Sequence, residues 1–276
     1  MKNDAFFTQL ADIEAELNFY RNHFRNRMVY CNCDNPAHSQ FLQYFRQNFD
    51  ILGLKGIAAT HYDVGSITQA SLWDAGGHRT WPVSNGDFRS AECMKILHDA
   101  DIVVTNPPFS LWREFIAALT ACRKKFLIVG PLNSITYKEV FPLIQANKLW
   151  LGNTQIKSFL TPDNRIQRFG NVYWFTNLDY PKRHVPMALH CSYDPQLYPQ
   201  YANYDAIEVS KTANIPYNYD GVMGVPISFL TRYCPEQFEI LGLSSTIVQN
   251  IPDNLPKHLK GGIRFYLQYP NALSTT

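Results

Sequence analysis

The chain lacks the usual marks of a stapled, membrane-bound or strongly charged protein. Its six cysteines are scattered with no C-x-x-C pair, which argues against a disulfide framework and for a reduced, cytoplasmic protein. Cys31-x-Cys33, His184, His190 and Cys191 do not have structural zinc spacing either, so no metal is expected. No run approaches the roughly 18 consecutive apolar residues of a membrane span, and the opening MKNDAFFTQL has no apolar signal-peptide core. Formal net charge is only +2, a balance that neither demands nor forbids a nucleic-acid partner. What is present is globular: 276 residues, 46% hydrophobic and 17% charged, enough for one large domain with a smaller appendage.

Phe6, Leu10, Ile13, Leu17, Tyr20 and Phe24 recur at spacings of four and three, which predicts one helix with a core-facing stripe. MVYCNCD reads as a short buried strand, SQFLQYFRQNFDILG as an amphipathic helix closed by Gly53, and KGIAATHYD as the next strand. A polar excursion, DVGSITQASLWDAGGHRTWPVSNG, fits a surface loop or hairpin. GDFRSAECMKILHDA then opens a helix, DIVVTN is a strand, SLWREFIAALTAC a helix, KKFLIVG a strand and TYKEVFPLIQANK a helix. Alternation at this spacing predicts an α/β fold with a doubly wound parallel sheet, whose ligand sits beyond the strands' carboxyl ends. Cys31 to Pro36, Thr60 to Asp63, Asp87 and Asn106 to Phe109 are therefore expected along one edge. VYWFTNLDY reads as a late strand, and the Pro- and Tyr-rich remainder as irregular. DGVMGVP is too short for a phosphate loop and reads as a turn. Lys138 and Glu139 read as a solvated helix start.

DIVVTNPPFSLW raises a chemical question, because a greasy strand stops at Asn106-Pro107-Pro108-Phe109. A Pro-Pro turn ending a strand is the plainer explanation. The order also suits a particular reaction. An amino group conjugated to an aromatic ring is a poor nucleophile, since its lone pair is delocalised. Two acceptors against its hydrogens favour a pyramidal nitrogen, and an Asn oxygen with a backbone carbonyl supply both without a titrating group. Proline fixes φ and removes a competing N–H, so the Pro107 carbonyl can be held toward the ligand. Phe109 can stack on the ring.

This tetrapeptide resembles the site of amino-methyltransferases that modify adenine N6 or cytosine N4 in DNA, the Phe form leaning toward adenine. VYCNCDNP, GDFRSAEC, DIVVTNPPFSLWREFI, KKFLIVGPLNSITYKEVFPLIQANKLWLG and YDGVMGVPISFLTRYCPEQFEILG extend the likeness from about Met28 to Leu243, and together they resemble the EcoRI-type adenine-specific DNA methyltransferase family. The resemblance implies a Rossmann-like catalytic domain over 1–183 and a smaller, irregular DNA target-recognition region over 184–276. It implies S-adenosylmethionine as donor and double-stranded DNA as substrate, with an adenine flipped into the Asn-Pro-Pro-Phe site. It also allows a cognate restriction endonuclease acting on the same site, and a monomer rather than an oligomer.

The broader pattern has a Gly-rich loop after the first strand, whereas this chain has Cys31-Asn32-Cys33-Asp34-Asn35-Pro36. That polar turn, with Tyr30 before it, would meet the donor's methionine end, Asp34 pairing with the ammonium. Asp87 stands where an acid accepts from the donor's adenine amine, and Phe88 could pack on that ring. The usual ribose-binding acid is not evident, and Asp63 is the candidate. Ser110 and the basic Lys157, Arg165 and Arg168 are candidate substrate contacts. Between Leu151 and His184 the bases are Lys157, Arg165, Arg168, Lys182 and Arg183 against the acids Asp163 and Asp179, and the tail adds Lys257, Lys260 and Arg264. Ordinary solvated surface explains such runs equally well. Two other readings compete: an amino-methyltransferase acting on RNA or protein glutamine, and a non-catalytic DNA-binding module with the same fold.

Overall fold

The computed structural model describes residues 6–63, 67–161, 163, 165–201, 204–244 and 263–270. Contacts divide the chain into Met1–Tyr180 and Pro181–Thr276, a boundary three residues before the one at 183/184.

The first unit runs β1 (Phe7–Thr8), α1 (Leu10–Leu17), β2 (Met28–Cys31), α2 (Gln40–Gln47), α3 (Phe49–Leu52), β3 (Gly56–Ala59), β4 (Thr68–Asp74), β5 (Gly77–Val83), α4 (Ala91–Asp99), β6 (Ile102–Thr105), α5 (Trp112–Ala121), β7 (Lys125–Pro131), α6 (Phe141–Gln145), β8 (Trp150–Leu160) and β9 (Ile166–Thr176). Its strands form one sheet in the order β1-β8-β9-β7-β6-β2-β3-β4-β5. β7, β6, β2 and β3 are mutually parallel, while β9 enters antiparallel to β7 and β4 antiparallel to β3. β3 and β6 are fully buried runs, and β2 and β7 are buried except at their ends, as expected where both sheet faces are covered. This is the α/β, Rossmann-like arrangement that the alternation predicts.

Several elements differ from the sequence expectation. The helix expected over Phe6 to Phe24 begins only at Leu10, because Phe7 and Thr8 pair antiparallel with Leu160 and Phe159 and so satisfy their backbone in the sheet. Its last turn tightens to a 3-10 helix over Asn18–His23. The apolar stripe nevertheless holds, with Ile13, Leu17, Tyr20 and Phe24 all at 0% exposure in the core. The helix expected over SQFLQYFRQNFDILG breaks at Asn48, which lies outside αR space at φ −108°, ψ 15°. Ser39 caps its start, accepting from Leu42 N at 3.2 Å. The polar excursion is a hairpin, β4 and β5, that extends the sheet. α6 is short, five residues with Pro142 in its first turn. β8 was not foreseen, and β9 starts at Ile166, well before VYW. Register shifts in their pairing break the apolar alternation that would have revealed both.

The second unit is not wholly irregular. It contains β10 (Ala206–Glu208), β11 (Val222–Pro226), β12 (Glu239–Leu243) and β13 (Arg264–Gln268), ordered β10-β11-β13-β12. DGVMGVP is thus largely strand rather than turn. Inside this unit the Arg264 guanidinium pairs with the Glu208 carboxylate at 3.0 Å, with side chains only 13% and 3% exposed, and the Tyr201 hydroxyl donates to the same carboxylate. Pairing and hydrogen bonding of this kind offset the desolvation of a buried charge, and removing one partner would leave the other uncompensated.

Candidate active site

The carboxyl ends of β2, β3 and β6, with the turn before α4, open on one cleft of about 710 Å³. Of the residues expected along the edge, it brings together Asn32 to Asn35, His61, Tyr62, Asp87, Asn106 and Pro108, with Phe88 beside Asp87. Tyr30 and Cys31 lie in the core at 0% exposure, since they are still inside β2, where side chains pack on the helices. The Tyr30 hydroxyl is spent on Thr60 Oγ1 at 2.7 Å. Pro36 and Asp63 are not on the cleft wall, Asp63 being exposed. Pro107 is buried behind the motif, Phe109 is half-buried against the main core, and Ser110 is exposed.

Asp34 is the most constrained group. Its N–H donates to the Thr60 carbonyl at 3.0 Å, which ties the turn to the end of β3. Ser39 Oγ donates to Oδ1 at 2.8 Å and Thr105 Oγ1 to Oδ2 at 2.6 Å. The second hydroxyl sits at the end of β6, one residue before Asn106, so one carboxylate joins the turn after β2, the cap of α2 and the motif strand. Burial pushes the Asp34 carboxyl up to about 6, against the lowering effect of the two hydroxyls. A carboxylate kept this costly in the free chain is one that a cation in the cleft would relieve. Beside it Asn32 Oδ1 is buried with no partner.

Across the cleft, Arg89 grips Asp87 with Nε at 3.0 Å and Nη2 at 2.7 Å, and the Arg89 N–H adds a third bond at 2.8 Å. These bonds hold the Asp87 carboxyl below its ordinary range. Its acceptor sites, expected open, are partly taken. Phe88 is 4% exposed and meets Phe115 edge-on at 5.0 Å. The turn bearing both depends on Gly86, at φ +67°, where a Cβ would lie 1.8 Å from the His61 carbonyl oxygen. His61 lines the cleft with its Nδ1 buried and unpartnered, and burial lowers its pKa.

Asn106 Nδ2 donates to the Phe6 carbonyl at 2.7 Å. A carbonyl can only accept, so this contact assigns the amide nitrogen and leaves Oδ1 as the end able to accept. Among the described residues no hydrogen bond ends on that Oδ1 or on the Pro107 carbonyl. His61 falls within the Thr60 to Asp63 edge expected from the sequence, whereas Phe6, Phe7, Thr8 and Arg89 are cleft residues that sequence reasoning missed. Of these only Arg89, two residues past Asp87, carried a positional hint.

Lys157 on β8, Arg165 on the turn after it and Arg168 on β9 are all exposed. Lys257 and Lys260 lie outside the described residues. Among the described residues no three His, Cys, Asp or Glu side chains cluster to hold a metal, and no helix is long and apolar enough to cross a membrane.

A Rossmann-like sheet with an Asn-Pro-Pro-Phe turn at its ligand edge defines the chain as a methyltransferase of the amino-methylating kind. The model of the family described as adenine-specific methyltransferase EcoRI matches residues 1–83 and 78–262, and the chain belongs to this family of DNA methyltransferases. It is 43% identical to the Type II methyltransferase M.EcoRI of Escherichia coli, over 87% of this chain and 86% of that protein. It is 36% identical to M.MgeORF184P of Mycoplasma genitalium, over 87% of this chain and 83% of the relative, and 35% identical to M.MpnI of Mycoplasma pneumoniae, over 87% and 82%. No solved structure matches significantly.

Proposed function

We propose that the chain methylates N6 of an adenine at a specific site in duplex DNA, taking the methyl group from S-adenosylmethionine. The observation that carries this reading is the Asn106 amide on the cleft wall, anchored through Nδ2 to the Phe6 carbonyl so that Oδ1 is left to accept; the carbonyl of buried Pro107 would supply the second acceptor. Such a pair suits the two hydrogens of an exocyclic amine.

The cleft residues fit the donor. Asp34 would pair with its ammonium, Asn32 Oδ1 offers a buried acceptor beside it, Asp87 would accept from the adenine amine, and Phe88 would pack on that ring. For the ribose, the unpartnered Nδ1 of His61 is better placed than exposed Asp63. When bound, the donor supplies an electrophilic methyl group on a sulfonium. The chain's own part is positional and electrostatic. Asn106 and Pro107 draw the target nitrogen toward a pyramidal geometry, and the proton it sheds after transfer passes to water.

The target amine is stacked and paired in a duplex, so the adenine must be extruded at a cost of a few kcal/mol. We assign the exposed part of Phe109 to stack on it, and Lys157, Arg165, Arg168 and Ser110 to the DNA backbone. The second unit, from Pro181, is assigned the reading of bases. The enzyme would act as a monomer in the cytoplasm, where donor and DNA are both found, alongside an endonuclease that cuts the same site. Native DNA from a methylation-deficient bacterium expressing the chain tests this: modified adenine at one position of one short site is expected, and modified cytosine or none would overturn it.

A further inference from the structure

The N-terminal segment, read from its periodicity as part of a helix, stands at the acceptor of the reaction. Asn106 Nδ2 donates to the Phe6 carbonyl at 2.7 Å. That carbonyl is anchored from both sides. The Phe6 ring meets Phe169 edge-on at 4.9 Å and Phe159 at 6.3 Å. Phe7 and Thr8 pair with Leu160 and Phe159, and Gln9 Nε2 donates to the Ser158 carbonyl at 3.2 Å and to Ser158 Oγ at 2.9 Å. All of these anchors belong to β8 and β9, the hairpin that carries Lys157, Arg165 and Arg168.

An asparagine amide has two ends, and a half-turn about its last bond exchanges a donor for an acceptor. Turned the wrong way, Asn106 would present hydrogens to an amine that also presents hydrogens. A fixed carbonyl at one end removes that orientation, because two oxygens would then face each other and the half-buried carbonyl would lose its donor. We propose that Phe6–Gln9 is a positioning element of the methyl-transfer site: the Phe6 carbonyl sets the Asn106 amide with Oδ1 toward the target amine, and Phe6 and Gln9 hold that carbonyl on the β8–β9 hairpin. The inference rests on the methyltransferase reading above. It adds that a main-chain carbonyl outside the Asn-Pro-Pro-Phe motif controls the rate.

The test combines kinetics with a spectroscopic readout on the full chain. Single-turnover methylation at saturating donor and duplex is measured for Phe6→Ala, Phe6→Tyr and Gln9→Ala, with donor affinity by calorimetry and DNA affinity by anisotropy. Misplacement of a reacting group by about 1 Å costs on the order of 10²-fold. Phe6→Ala is therefore expected to slow the transfer step by about 10- to 100-fold, with both affinities within about threefold, while Phe6→Tyr keeps most of the rate. Gln9→Ala, which leaves the aromatic contacts in place, should show a smaller loss of the same kind. In parallel, nuclear magnetic resonance follows the Asn106 side-chain amide, assigned by its loss in Asn106→Ala. One of its two protons should be shifted downfield and protected from solvent in the wild type and Phe6→Tyr, and lose that protection in Phe6→Ala. An unprotected amide in the wild type overturns the proposal. So does a transfer rate unchanged in Phe6→Ala, or a loss that only follows weakened donor binding. Should the wild type move no methyl to DNA, the methyltransferase reading fails, and the amide signal still decides whether Phe6 holds Asn106.

Discussion

Asp34→Asn is the substitution in which stability and function should move in opposite directions. In the native chain the carboxyl titrates at about 6 rather than 3.8, and burial is the leading cause. The folded-state value is raised, so the charged form is the costly one: the penalty is full above about pH 6, shrinks as pH falls, and vanishes below the unfolded-state value near 4. At 1.36 kcal/mol for each pH unit of displacement, the penalty at pH 8 is about 3 kcal/mol. Asparagine is nearly isosteric and can accept from one of the Ser39 and Thr105 hydroxyls and donate to the other. We expect Asp34→Asn to raise the unfolding free energy by about 1 to 3 kcal/mol at pH 8 and to converge on the wild type near pH 4. Loss of a charge-assisted bond to the donor's ammonium should weaken donor binding by about 1.5 to 3 kcal/mol, roughly 10- to 150-fold. Wild-type donor affinity should itself fall as pH drops through about 6, and that dependence should be absent in the variant. Urea unfolding across pH and calorimetric titration with S-adenosylmethionine read the two effects. A variant that is less stable at pH 8, and that binds donor within about threefold of the wild type, would refute the reasoning.

Asp87→Ala should weaken donor binding by about 1.5 to 3 kcal/mol with little change in DNA affinity, read by the same titration. Because Arg89 holds the Asp87 carboxyl below its ordinary range, this contact should survive acidification that has already protonated Asp34. Gly86→Ala should destabilise the fold by more than about 2 kcal/mol in urea unfolding, since its Cβ would lie 1.8 Å from the His61 carbonyl oxygen. Phe109→Ala should lose roughly 1 to 3 kcal/mol of stacking on the extruded adenine, so a mismatch opposite the target should speed the variant more than the wild type. Equal mismatch ratios, with an unchanged 2-aminopurine signal at the target, would place the Phe109 ring wholly in the core.

The parallel strands were legible because each is a short apolar run ending in polar residues, and a doubly wound sheet gathers those ends on one edge. That logic put Asn32, Asp34, His61, Asp87 and Asn106 along one edge, while the roles of Asp34 and Asp87 came from the family resemblance and that of Asn106 from the chemistry of the tetrapeptide. Tyr30 and Cys31 stand one or two residues too early, since the ligand edge begins only where β2 stops. β1 was hidden because Phe6 and Leu10 satisfy helical spacing, and only pairing with residues about 150 positions away makes Phe7 and Thr8 extended. β8 was hidden by its irregular register. The grip of Arg89 on Asp87 follows from a turn geometry that no spacing rule specifies. The sheet of the second unit was missed because its strands are short and separated by long Tyr- and Pro-rich connections.

What the anchored Asn106 amide delivers a methyl group to decides the function. Purified protein and its Asn106→Ala variant, incubated with methyl-labelled S-adenosylmethionine and with duplex DNA, RNA or protein in separate reactions, followed by mass analysis of the hydrolysed products, measure this directly. The account predicts label in DNA alone, as N6-methyl-2′-deoxyadenosine, and its near-complete loss in Asn106→Ala while donor and DNA affinities stay within about tenfold. Label in N4-methylcytosine, in RNA or in protein glutamine, or a variant keeping more than about a tenth of wild-type turnover, would contradict it.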